Sequence, residues 1–90
     1  MAYSDSSLEL PCTGLSPEAS AEDLCQMGLV YSTGLGVAED YVAAHKWFNL
    51  AALRGNEDAK SYRKDLADAM SSQEIAEAQK AAREWLSLMN

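Results

Sequence analysis

Gly28–Ala59, GLVYSTGLGVAEDYVAAHKWFNLAALRGNEDA, decides the fold. Small and aromatic residues recur through it in a set order: Gly28, Tyr31, Gly34, Gly36, Val37, Asp40, Ala44, Trp47, Ala51, Ala52, Gly55 and Ala59. Gly34 and Gly36 break one helix, Asp40 starts the next, and Gly55 ends it. The small residues fall at helical spacing, where two helices must approach closely. Nothing in the series is chemically reactive, so it speaks for packing, and for binding rather than catalysis.

Working outward, Ser16 before Pro17 reads as a helix start, and the spacing predicts helix one over 17–33. Its inward stripe is Ala21, Leu24, Met27, Gly28 and Tyr31. Helix two, 41–54, is apolar nearly all round, so it must pack on more than one side. Gly55 and Asn56 make an immediate reversal into helix three, 57–70, with Ala59, Tyr62, Leu66, Ala69 and Met70 inward and Lys60, Arg63 and Lys64 on the wet side. Ser71 with Glu74 is a capping box opening helix four, 72–88, whose one face carries Ile75, Ala78, Ala82, Trp85, Leu86 and Met89. Residues 1–15 have no periodicity and read as a flexible or edge-covering tail.

The Gly34-Leu35-Gly36-Val37 turn followed by Asp40, Ala44, Trp47 and Ala51-Ala52 resembles the Sel-one-like repeat family, relatives of the tetratricopeptide repeats. The resemblance covers Met27 to Ala59. Asp23 stands where that family usually has Ala. A unit of 36 residues maps Asp23 onto Ala59, Gly28 onto Lys64 and Tyr31 onto Ala67, so a second unit begins at Ala59 without its Gly and Tyr. The resemblance implies one complete unit at about 23–58, then a degenerate unit and capping helix at about 59–90, within a helical domain spanning 16–90. It also implies an adaptor role.

Charge is distributed unevenly. The net charge is −7; residues 1–45 hold seven acids and no Lys or Arg, while 46–90 hold seven of each sign. Nucleic acid would demand a basic surface. No apolar run of ~18 residues is present for a membrane span. Met1 to Ser16 lacks the basic and apolar stretches of a signal peptide, so the expected compartment is cytoplasmic, with Cys12 and Cys25 as free thiols.

Candidate chemistry is thin. His45 is the sole histidine and has no orienting acid on its helix face; it reads as structural or surface. One His and two Cys do not make a zinc site. Ser61 and Lys64 have Ser-x-x-Lys spacing, but the companion motifs of the serine β-lactamases are absent. Glu22 and Asp23, adjacent on a helix, point about 100° apart and share no site. Trp47, Trp85, Tyr31 and Tyr62 are more economically a core than a binding box.

The sequence therefore predicts an all-α chain: four helices forming two hairpins in a short right-handed solenoid. The expected function is a protein-interaction module or scaffold, not an enzyme, with no cofactor or metal. Its partner would be another protein or peptide, and the acidic first half favours a basic one. Glu22, Gln26, Val30 and Thr33, turned away from helix two, are the candidate contacts. Helix one has no preceding repeat, so Leu29 and Val30 lie near an edge that a second copy, as a homodimer, or tail residues Leu8, Leu10 and Leu15 could cover. The alternatives are a structural subunit that works only as an oligomer and, more remotely, a β-lactam-binding hydrolase of the cysteine-rich branch of the resembling family.

Overall fold

The computed structural model describes residues 19–89. Among them are four α-helices and no strand: α1 (Ala21–Thr33), α2 (Tyr41–Leu53), α3 (Glu57–Ala67) and α4 (Ser72–Leu86), with a final 3-10 turn at Ser87–Met89. Each helix begins on a side-chain cap that satisfies an otherwise orphaned N–H. Ser20 accepts from the Asp23 N–H at 3.1 Å, Asp40 from Ala43 at 3.1 Å, and Asn56 from Ala59 at 2.9 Å. At Ser71 the box is reciprocal: its hydroxyl accepts from the Glu74 N–H, and the Glu74 carboxylate accepts from the Ser71 N–H at 2.9 Å.

The helix ends are equally explicit. Gly34 adopts φ +73°, and the N–H groups of residues 34 and 35 both return to the Val30 carbonyl. The Asp40 N–H donates to the Tyr31 carbonyl at 3.0 Å, closing the connection. Gly55, at φ +100°, ends α2: its N–H reaches Ala52 and that of Asn56 reaches Ala51, the paired bonds of a Schellman stop.

Helix one starts later than its sequence suggests. Ala19 and Ser20 are non-helical, so the cap is Ser20; Ser16 and Pro17 lie outside the described residues, as do Leu8, Leu10, Leu15 and Cys12. Both signals promise a hydroxyl cap, and Ser20 has the acidic first turn (Glu22, Asp23) that complements the helix N-terminus.

Helix α2 is the centre. Seven of its thirteen residues are buried, including Ala44, Trp47, Phe48, Leu50 and Ala51, and all three other helices pack on it. Residue 40 meets residue 31, and Arg54 donates to the Ala19 carbonyl, so α1 runs antiparallel to α2. Arg63 donates to Asn49 at 2.6 Å, while residue 56 joins the end of α2, so α3 is antiparallel too. On the other flank α4 runs parallel to α2, because Glu74 lies near Tyr41 and Trp85 near Trp47. The two indoles meet edge to face, with centroids 5.7 Å apart at 78°. Helices α3 and α4 are consecutive, yet each packs on α2 far more than on the other.

Gly28 sits where α1 crosses α2. A β-carbon there would fall on the Phe48 ring, 2.8 Å from its Cγ and closer to two other ring atoms. A mid-helix glycine costs about 1 kcal/mol relative to alanine; the close approach of the two helices offsets that cost.

Candidate functional site

Helices α1 and α3 both lie against α2 but touch each other only lightly. The gap between them is an open apolar groove of about 270 Å³. Leu29 and Ser32 of α1 form one wall, Tyr62, Asp65 and Leu66 of α3 with Ala69 form the other, and Tyr41 and Phe48 of α2 form the floor. Phe48 is held by Gly28 beneath it and by Tyr62 beside it, whose ring centroid is 5.4 Å away. Ser32 directs its hydroxyl to the Leu29 carbonyl, so this wall carries little spare polarity.

The stripe Tyr62, Leu66, Ala69 is thus apolar and only partly covered by the described residues. Tyr62 is 39% exposed and Ala69 is exposed, whereas the sequence places both inward. The reason is that α1 leans on α2 at Gly28 and does not extend over α3. Arg63 departs in the opposite sense. It is half-buried, bonding to Asn49, rather than on the wet side with Lys60 and Lys64.

A second recess, about 370 Å³, lies where α4 starts beside the start of α2, lined by Glu39, Asp40, Tyr41, Val42 and Glu74. Asp40 and Glu74 each spend one oxygen on a helix cap. Tyr41 lines both the recess and the groove.

Glu22, Gln26 and Thr33 are exposed on α1 and Val30 is half-buried. They form a line along one face, and none of them lines the groove. Thr33 uses its hydroxyl on the Leu29 carbonyl at 2.7 Å. Leu29, which the sequence leaves near an edge, does face the groove, together with Ser32. The signal for the rest was the apolar stripe of helix three, which reads equally well as core.

Most of the remaining candidates have packing roles. His45 is 4% exposed, its Nδ1 has no hydrogen-bond partner, and burial, then the Arg63 guanidinium, hold its pKa below the ordinary imidazole value. Cys25 is a buried free thiol whose pKa is pushed up by burial and by Asp58; a thiol in that state is a poor nucleophile. Ser61 and Lys64 are both exposed. Trp47 and Trp85 are buried; Lys46 lies 4.2 Å above the Trp47 ring and Arg54 5.5 Å from the Trp85 ring. Among the described residues no group of three His, Cys, Asp or Glu side chains is arranged to hold a metal ion, and no helix is long and apolar enough to cross a membrane.

No family model matches the chain, and no curated protein or solved structure matches it either.

Proposed function

We propose that the chain is a protein-interaction module, an adaptor or scaffold, that holds a peptide or helix of another protein against its first helix. The observation that carries this reading is the apolar groove between α1 and α3, open among the described residues, where Tyr62 is 39% exposed beside the buried Phe48 ring. Aromatic and aliphatic side chains left open beside a rigid helix pair are what a partner's anchor residue needs. The reading calls for no cofactor and no catalytic group. It takes the cytoplasm as the compartment, where a free Cys25 thiol persists.

The repeat reading belongs to the same proposal. Residues 23–58 would be a complete Sel-one-like unit and 59–90 a degenerate one, stacked as the start of a right-handed solenoid. The common direction of α2 and α4 supports this, since second helices of successive units run alike. The separate packing of α3 and α4 on α2 is what a second hairpin would do after losing the family's Gly and Tyr at Lys64 and Ala67.

Affinity capture from the native cell tests the function. The full chain should retain a partner that the Tyr62→Glu variant loses, both baits showing the same helical circular-dichroism melt. Equal capture by the two would remove the groove from the function. A self-associating subunit is the second reading, favoured by Leu53 and Leu88, 64% and 66% exposed. Light scattering at micromolar concentration distinguishes a dimer from a monomeric adaptor.

A further inference from the structure

We propose that the groove's occupant is a basic amphipathic segment of another protein. An apolar side chain seats over Phe48 between Leu29 and Leu66, and Lys or Arg residues beside it pair with Asp65 and, past Tyr41, with Glu39 and Glu74. This deepens the interaction-module reading and rests on it.

Size comes first. Small-molecule sites run from about 300 to 1,000 Å³, and this open groove of about 270 Å³ lies just below that range. It fits one or two anchor side chains better than a whole metabolite. Charge then selects among macromolecular occupants. Asp65 stands in the groove wall, and Tyr41 lines both the groove and the separate recess of Glu39, Asp40 and Glu74. Glu39 and Asp65 are exposed and make no ion pair with a described residue. Asp40 and Glu74 each hold a cap N–H with one carboxylate oxygen. Lys64, next to Asp65 in sequence, points about 100° away around α3.

Two other occupants bring the wrong sign. Residues 1–18 carry Asp5, Glu9 and Glu18 and no Lys or Arg. A second copy carries a net charge of −7. Like charges brought together across an interface oppose association, whereas a basic segment is steered in.

The test is selection from a random dodecapeptide display library on the full chain, followed by fluorescence anisotropy with the synthetic winners. The enriched peptides should pair a Leu, Met or Phe with nearby Lys or Arg. Their amide-shift footprint on the ¹⁵N-labelled chain should centre on Leu29, Ser32, Tyr62 and Leu66. The Glu39→Lys/Asp65→Lys double variant should bind about tenfold more weakly, and the milder Glu39→Gln/Asp65→Asn variant about threefold. Glu77→Lys, outside both cavities, should bind as the parent does. Peptides with no basic bias, or indifferent to the double variant, would overturn this inference and leave the module reading standing. No enriched peptide at all would overturn both. Displacement of the winners by a synthetic peptide of residues 1–18 would assign the groove to the chain's own N-terminal segment, and a dimer that blocks them would assign it to a second copy; either result overturns the proposal.

Discussion

Phe48 occupies the volume that a β-carbon on Gly28 would need. The two residues fix how closely α1 approaches α2, and Phe48 is also the floor of the groove. Replacing Gly28 therefore tests packing and site together. Gly28→Ala recovers about 1 kcal/mol of helix propensity, but forces the ring or the helix to move. The expected net outcome is a loss of about 1–3 kcal/mol in urea melts. Gly28→Ala combined with Phe48→Leu should lose less than the two single changes added together. Strict additivity would show that the ring does not set the approach.

His45 makes stability depend on pH. Burial and Arg63 lower its folded pKa below the unfolded value of about 6.5. The unfolded chain then binds more protons, so this contribution is intact above pH ~6.5 and is lost as pH falls through the folded pKa. The slope can reach about 1.4 kcal/mol per pH unit. Urea melts between pH 7.5 and 5 should show the parent losing stability relative to His45→Gln, which has nothing to titrate. Parallel profiles would mean that His45 binds protons alike in the folded and unfolded chain.

Trp85 joins α4 to the centre. It is 8% exposed and packs on Trp47, with Arg54 near its face. Trp85→Ala should cost about 3–5 kcal/mol, and near-ultraviolet dichroism should lose the coupled-indole signal. Trp85→Phe should cost less, because a ring remains to meet Trp47. A Trp85→Ala melt that coincides with the parent's would mean that α4 is docked by its alanine face instead.

Ser71→Ala removes one half of the box that opens α4, leaving the Glu74 N–H without its acceptor. Loss of an N-cap costs about 0.5–2 kcal/mol. Hydrogen exchange should rise first in the opening turn of α4. A uniform rise across all four helices would show that α4 opens only with the rest of the molecule.

The helices were legible because their ends are chemically marked. Asp40, Asn56 and Ser71 sit at the boundaries their side chains dictate, and Gly34 and Gly55 at those their positive φ allows. The start of α1 was less so, because Ser16 and Ser20 offer the same capping chemistry, and the acidic first turn at Glu22 and Asp23 goes with Ser20. The central place of α2 was written in its nearly unbroken apolar surface. The groove was not. An apolar stripe such as Tyr62, Leu66, Ala69 records a preference for company, and whether α1 reaches over to provide it depends on where Gly28 pins that helix.

Helices α1, α3 and α4 meet mainly through α2, and this makes the molecule a hub with spokes rather than a row. In a row, loss of an end element leaves its neighbours' contacts intact. Here any spoke can detach while the others stay, but displacement of the hub releases all of them at once. The groove is bounded by two spokes and the hub, and α4 packs mainly on the hub. News of an occupied groove can therefore reach α4 by one main route, a roll or shift of α2 that carries Tyr41, Trp47 and the attached Trp85 with it.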